Sequence, residues 1–300
     1  MSRVLVTGAT GFIGRHALTP LLEAGHEVHA ISTRPAAAQA PRGVAWHVAD
    51  LLADQRSVVA EVQPERLLHL AWYAEHGRFW TAIENVEWVE ASLALLRAFA
   101  AAGGERAVLA GTCAEYDWEV GGGVLREDAP LRPATLYGAA KAGLHQVAAA
   151  FAAETGLELA WGRVFFLYGP GEDERRLVGS VASALARGEH AMTGAGAQIR
   201  DLLHVADVGA AFAALVDSDV CGAVNVGSGE GRRLREVIEA LGAISGRPEL
   251  LEIGALPARP GDPDRLVADV ARLREEVGFV PRIGLERGLE ETVAWWRERG

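Results

Sequence analysis

From Val4 to Val164 the chain alternates between short β-branched runs and longer stretches whose apolar residues recur at helical spacing. Val4-Leu5-Val6 ends in a glycine-rich turn, an apolar-periodic helix follows over 12–24, Gly25 stops it, and a second strand runs over 28–31. That is a β-α-β unit. The rhythm continues with strands expected at 44–48, 66–71, 107–110 and 157–164, and helices at 53–62, 83–102 and 136–154. Strand and helix in rotation predict an α/β fold, a doubly wound parallel sheet with helices on both faces. After Tyr168-Gly169-Pro170 the alternation loosens. Short strands near Ala191 and Leu202 mix with helices expected at 177–186, 206–215, 234–241, 267–277 and 285–297, and 257–263 is a Pro/Gly-rich loop. The expected division is a nucleotide-binding domain over 1–168 and a smaller lobe over 169–300, with chain crossovers between them.

Composition narrows the partners. The 300 residues are 50% hydrophobic and 23% charged, the balance of a globular protein with a large core, and carry a net charge of −11. An acidic chain repels nucleic acid and anionic membrane, so neither is expected, and an anionic ligand needs a local basic pocket. Cys113 and Cys221 make neither a disulfide framework nor a zinc spacing, and the nine histidines include no HExxH, so no metal is expected. Met1-Ser2-Arg3 leads straight into the first strand without a signal-peptide pattern, and apolar runs such as 147–153 are too short to span a bilayer. These readings predict a cytoplasmic protein.

The first turn reads Thr7-Gly8-Ala9-Thr10-Gly11-Phe12-Ile13-Gly14. Gly8 permits the tight turn, Gly11 lets a pyrophosphate approach the backbone, and Gly14 lets helix and strand pack closely, while the helix N-terminus offers N–H groups to phosphate. A glycine turn without a ligand is the competing reading. The place of the turn between first strand and first helix favours binding. The segment closely resembles the extended short-chain dehydrogenase/reductases, which implies a Rossmann-type fold and dinucleotide contacts at Thr7, Gly8, Gly11, Phe12, Ile13 and Gly14. In NAD users of that family an acidic residue ends the second strand. Here Ser32-Thr33-Arg34 stands there, and a hydroxyl and a guanidinium suit the 2′-phosphate of NADP where a carboxylate would repel it. NADP(H) is therefore expected ahead of NAD, the alternative being that Arg34 is a surface arginine. Asp50-Leu51 resembles the pair that meets the adenine ring, and Leu70-Ala71, with Trp72 after it, the segment beside the cofactor ribose.

Tyr137-Gly138-Ala139-Ala140-Lys141 is the Tyr-x-x-x-Lys of the same family. Residues four apart share a helix face. The Lys141 ammonium lowers the Tyr137 pKa, so that Tyr137 exchanges a proton with a carbonyl or alcohol near neutral pH, and Lys141 also meets the nicotinamide ribose. Counting back from Tyr116, Thr112 takes the position of the hydroxyl that orients the substrate oxygen; a strand-end threonine capping a turn is the plain alternative. Sugar 4,6-dehydratases of the family carry Asp-Glu directly after that threonine. Cys113 and Ala114 stand there instead, and Glu115, one position late, points to the opposite face if the backbone is extended, so a dehydratase is not expected. Cys113 is read as a packing residue.

Arg163-Val164-Phe165-Phe166-Leu167-Tyr168-Gly169-Pro170 resembles the family's Arg-x-x-Asn-x-Tyr-Gly-Pro with Phe166 in place of Asn, which weakens an epimerase reading. Arg200 of Arg200-Asp201-Leu202-Leu203-His204-Val205-Ala206-Asp207 and Arg259 of Arg259-Pro260-Gly261-Asp262 are the diphosphate candidates, a guanidinium fork suiting phosphate oxygens. Trp72, Tyr73, His76, Phe79, Trp80 and Trp118 form either an aromatic wall against the sugar, with Trp72 and Thr112 touching substrate, or a hydrophobic cover. The resemblance implies an NADPH-dependent reductase of a keto group on a nucleotide-linked 4-keto-6-deoxy sugar. The alternatives are a nucleotide-sugar epimerase with retained cofactor and an NADP-sensing regulatory protein without turnover. Pairing of two copies through the helices over 83–102 and 136–154 is expected.

Overall fold

The sheet that the first turn belongs to has seven strands, all parallel: β1 (Arg3–Thr7), β2 (Glu27–Ser32), β3 (Val44–Val48), β4 (Arg66–His69), β5 (Arg106–Thr112), and two later ones. The computed structural model describes residues 1–35, 40–119, 123–257 and 261–299. A short strand, β6 (Val124–Leu125), leaves for the second lobe before β7 (Glu158–Val164) returns to the large sheet. Next come β8 (Phe166–Tyr168), β9 (Ala191–Thr193) and β10 (Ile199–His204), then β11 (Gly222–Val226), which pairs with β7 as the last strand of the large sheet. β12 (Gly231–Arg233), β13 (Leu251–Ile253) and β14 (Arg265–Ala268) complete the lobe. The large sheet has the order β11-β7-β5-β4-β1-β2-β3. The strand order reverses between β1 and β4, and a crevice at such a switch point is where this architecture binds ligands.

Helices α1 (Gly14–Glu23), α2 (Arg56–Val62), α3 (Glu84–Ala101), α4 (Leu136–Thr155), α5 (Leu177–Arg187), α6 (Val205–Asp217), α7 (Leu234–Ser245), α8 (Ala271–Glu275) and α9 (Leu285–Arg297) follow in chain order. One core packs α1 and α6 on one face of the sheet, around Leu18, Val208 and Phe212; the other packs α2, α3 and α4 on the opposite face, around Leu95, Phe99 and Leu144. The inner strands β1 and β4 read Val4-Leu5-Val6 and Leu67-Leu68, fully buried, as strands covered on both faces must be. A third cluster, with Tyr168, Val181, Ile238 and Leu289, holds α5, α7 and α9 together in the lobe.

The chain crosses between the large sheet and the lobe on both sides of 168. After β8, which joins β10, residues 205–226 return to the large sheet as α6 and β11, and β6 from the first half pairs with β14 of the lobe. The expected helix over 267–277 is a departure. Its first residues are strand β14, whose Leu266, Val267 and Ala268 are buried between β10 and β6, and only Ala271–Glu275 is helical. Continuous burial gives a short strand the same apolar density as a helix face, so spacing alone did not separate them. Among the described residues no helix is long and apolar enough to cross a membrane, and no group of three or more His, Cys, Asp or Glu is placed to hold a metal ion.

Candidate active site

The glycine turn forms a cradle open to the crevice. Gly8 has φ +65°, a left-handed conformation that suits glycine, and a Cβ there would meet the backbone of Leu70 and Ala71 at 2.7 Å. A Cβ at Gly14 would lie 2.1 Å from the Gly8 carbonyl oxygen. Gly11 is exposed, and no side chain caps the first turn of α1, so no side chain competes with an anion there, while the Arg15 and His16 N–H groups bond back to the Gly11 and Ile13 carbonyls at 3.3 and 2.9 Å. A dinucleotide diphosphate fits this cradle. Gly14→Ala must push strand and helix apart at a cost of about 1–3 kcal/mol. The expected result is loss of dinucleotide binding by fluorescence titration together with a lower melting temperature.

Behind the cradle Thr7 is fully buried and its hydroxyl is spent internally. Ser92 Oγ donates to the Trp88 carbonyl at 2.6 Å, so it must accept from His69 Nε2–H at 2.8 Å. His69 Nδ1 is then the acceptor for the Thr7 hydroxyl at 2.7 Å, and the Thr7 oxygen takes the N–H groups of Leu70 and Ala71 at 3.2 Å. Burial, with the Lys141 charge second, holds the His69 pKa down to about 3, so the ring is neutral. Thr7 therefore fixes Leu70 and Ala71 against Gly8. Phe12 and Ile13 are half-buried, with the Arg15 guanidinium 5.2 Å from the Phe12 ring centre.

At the end of β2, Ser32 is buried and its Oγ accepts the Arg34 N–H at 3.2 Å, while Thr33 and Arg34 are exposed. Asp50 is exposed and accepts the Leu52 N–H at 3.0 Å; Leu51 is buried among the apolar residues of α2.

Thr112 ends β5. Its Oγ1 accepts the Ala114 N–H at 3.2 Å, capping a one-turn 3-10 helix over Cys113–Glu115. The hydroxyl of Tyr137, in the first turn of α4, interacts with the Thr112 side chain. What brings them together is Gly138: a Cβ there would sit 2.4 Å from the Ala114 carbonyl oxygen, so only glycine lets α4 rest on that turn. Thr135 caps α4 by accepting the Gly138 N–H at 3.1 Å. Burial pushes the Tyr137 hydroxyl above its usual range, and the Thr112 contact pulls it back. The buried Lys141 Nζ, one turn further along α4, donates to the Ala110 carbonyl at 2.8 Å and lies 3.6 Å from the Trp72 ring centre.

The aromatic run divides. Phe79 and Trp80 stand edge-on to Tyr137, with ring centres at 5.0 and 5.8 Å, and Trp118 stands edge-on to Trp80 at 6.3 Å. Trp72 turns inward to Lys141, and its Nε1 donates to Asn85 Oδ1 at 2.8 Å. Tyr73 donates to Glu75 at 2.8 Å.

Glu115 is turned into the core by the 3-10 turn over Cys113–Glu115, not by the extended backbone on which the sequence expectation rested. It is fully buried and accepts from the Thr112 N–H at 2.8 Å, Trp161 Nε1 at 2.9 Å and Arg163 Nε at 2.8 Å. Cys113 is buried, and burial raises its thiol to about 12, which leaves it inert. Arg200 is also buried, bonded to Asp262 at 2.5 Å with its guanidinium 5.3 Å from the Phe166 ring centre. Its charge is thus already matched by a carboxylate. Arg259 lies outside the described residues.

Four partners had no assigned role in the sequence reading. Asn85 is fully buried at the start of α3 and donates to the Phe79 and Ala82 carbonyls at 2.7 and 2.8 Å. Arg163 is the counter-ion of Glu115. Glu172 pairs with Arg176 at 3.1 Å, and burial, partly offset by Arg176, raises its carboxyl to about 7. Arg176 in turn lies within electrostatic reach of Tyr137. One signal was legible and unused: Lys141 is the single lysine of the chain, the other 28 of its 29 Lys and Arg being arginine.

A parallel sheet with this strand order, a glycine cradle at the switch point, and a Thr–Tyr–Lys set on the neighbouring strand end together define a dinucleotide-dependent enzyme of the extended short-chain dehydrogenase/reductase class. The chain belongs to the NAD dependent epimerase/dehydratase family, whose model matches residues 4–227. A UDP-glucose 4-epimerase of Streptomyces lividans is 31% identical over 93% of this chain and 91% of its own. The structure of a UDP-glucose 4-epimerase of Thermus thermophilus in complex with NAD has a TM-score of 0.84 at 30% identity, covering 98% of this chain and 99% of its own. MoeE5 in complex with UDP-glucose and NAD has a TM-score of 0.85 at 32% identity, covering 99% of both. These relatives shift two expectations. They are C4 epimerases or carry NAD, and they lend no support to a preference for NADP(H) or to net reduction.

Proposed function

We propose that the protein is a nucleotide-sugar epimerase that oxidises and re-reduces C4 of the sugar, with NAD retained in the crevice. The observation that carries this is the convergence of Thr112, Tyr137 and Lys141 on the carboxyl edge of the sheet beside the glycine cradle, in a chain similar to C4 epimerases along its length. Gly8, Gly11 and Gly14 and the first turn of α1 receive the diphosphate of the dinucleotide, and Leu70 and Ala71 flank its ribose. The bound nicotinamide supplies the acceptor and donor of hydride. Tyr137 takes the proton of the sugar hydroxyl on oxidation and returns it on reduction. Thr112 orients that oxygen, and the charged Lys141 favours the tyrosinate that forms. Phe79 and Trp80 keep water from Tyr137. Pairing of two copies across α3 and α4 and a cytoplasmic site of action belong to the same reading.

One observation favours a second reading, a 4-ketoreductase using NADPH: the end of β2 carries Ser32, Thr33 and Arg34 with no carboxylate, and Phe166 lies under Arg200 where an Asn would hold sugar. The two are separated by one experiment. The purified protein is incubated with UDP-glucose without added cofactor, and separately with a nucleotide-linked 4-keto-6-deoxy sugar plus NADPH or NADH. Appearance of the C4 epimer in the first mixture is the expected result. No epimer, with NADPH consumed in the second and consumption weakened by Arg34→Asp, would establish the reductase. No turnover in either mixture would overturn both readings.

A further inference from the structure

The single lysine of this chain is buried, and among the described residues no carboxylate is in contact with it. Among the described residues the titratable groups within its electrostatic reach are His69 at the end of β4 and Glu115 beyond the end of β5, and Tyr137 precedes it by one turn on its own helix. Tyr137 is protonated and His69 neutral. Glu115 is already bonded to Arg163, Trp161 and the Thr112 N–H. Two groups touch the ammonium, the Ala110 carbonyl at 2.8 Å and the face of Trp72 with its centre at 3.6 Å. The indole is fixed in that pose. Its Nε1–H is held by Asn85 Oδ1 at 2.8 Å, and Asn85 is itself held by the Phe79 and Ala82 carbonyls. On its far side Trp72 packs against Trp88, ring centres 6.2 Å apart.

We propose that Trp72 is a positioning residue for Lys141: its π face, locked by Asn85, keeps the ammonium charged and seated under Ala110. An aromatic face attracts a cation through its quadrupole, and the attraction grows when water is excluded. The assignment replaces substrate contact as the role of Trp72. It also explains why a lysine survives in a chain that otherwise uses arginine, since a compact ammonium fits between a carbonyl and an indole where a planar guanidinium does not. Burial, partly offset by the Glu115 charge, draws the Lys141 pKa down to about 7, close to the range where charge would be lost. The π face then decides how much of the ammonium remains near neutral pH.

The proposal rests on the catalytic reading above for its consequence, and its test does not. Growth on lysine labelled with ¹³C at Cε gives a protein with one labelled residue, and its NMR shift reports the Lys141 titration directly. Trp72→Leu is expected to lower the Lys141 midpoint by about one pH unit, and Trp72→Phe, which keeps a ring face, to restore most of it. Asn85→Ser, which frees the indole without removing it, is expected to give an intermediate shift. In the epimerase assay the alkaline limb of kcat moves down with the midpoint while KM stays put. An unchanged midpoint in folded Trp72→Leu overturns the proposal. If Trp72→Leu does not fold, an unshifted midpoint in Asn85→Ser overturns it. A shifted midpoint in a protein without turnover upholds the placement of Lys141 and rejects the catalytic reading instead.

Discussion

Replacing Tyr137 by phenylalanine is expected to lower kcat by about 10²–10⁴-fold, the usual worth of a positioned general acid–base group. The change removes one oxygen and leaves the ring that Phe79 and Trp80 face edge-on, so folding and dinucleotide binding are expected to persist. Thr112→Val, which keeps the shape of the side chain, is expected to lose turnover as well, through the oxygen it orients and through the cap it gives the turn over Cys113–Glu115. Fluorescence titration with the reduced dinucleotide and turnover of the nucleotide sugar are measured on the same preparation. Turnover retained by Tyr137→Phe would remove the site from the position argued above. Intact binding and an intact regulatory response, with no turnover in either protein, would instead describe a sensor.

The second large effect is structural. Arg163→Met is expected to destabilise the fold by about 3–5 kcal/mol, the cost of leaving one member of a buried ion pair uncompensated. Glu115 would keep its bonds from the Thr112 N–H and Trp161 but lose its counter-ion, and Tyr116 would lose the guanidinium that donates to its hydroxyl at 3.0 Å. The loss is read as a fall in denaturant midpoint at unchanged slope. Glu115→Gln combined with Arg163→Met is expected to recover part of it, because the two changes share one interaction. This pair also accounts for the absence of a dehydratase pattern. The carboxylate after Thr112 is committed to the core beneath β5 and β7 rather than to the crevice.

Much of the architecture was legible because it rests on local signals. The turn over 7–14, the glycine stops after α1 and α4, and the apolar spacing of α3 and α4 each announce themselves within a few residues. β11 did not, because a five-residue strand at 222–226 is specified by a partner some sixty residues earlier, β7, and not by its neighbours. The site shows the same divide. Tyr137, Lys141 and Thr112 could be placed by helix spacing and strand end. The aromatic residues after β4 could be recognised as a group, but which of them faces Tyr137 and which faces Lys141 depends on Asn85 holding Trp72, a contact across thirteen positions. The seat of the Lys141 ammonium between Ala110 and Trp72 was not legible for a related reason: four residues on a helix fix a face, not the direction of a long side chain.

The return of the chain to β11 bears on how proteins of this build can be recombined. A hybrid joined at 168 would take its last sheet strand and the helix that covers α1 from the donor of the sugar lobe, so the dinucleotide half would be finished by foreign residues. Asn225 makes the seam worse: it sits on β11, accepts from the Tyr116 hydroxyl at 2.6 Å, and donates to the carbonyls of Leu125 and Asp269 at 2.8 and 3.1 Å. A transplant of the second lobe therefore needs at least two junctions, one on each side of 205–226, with β11 left on the side of its host.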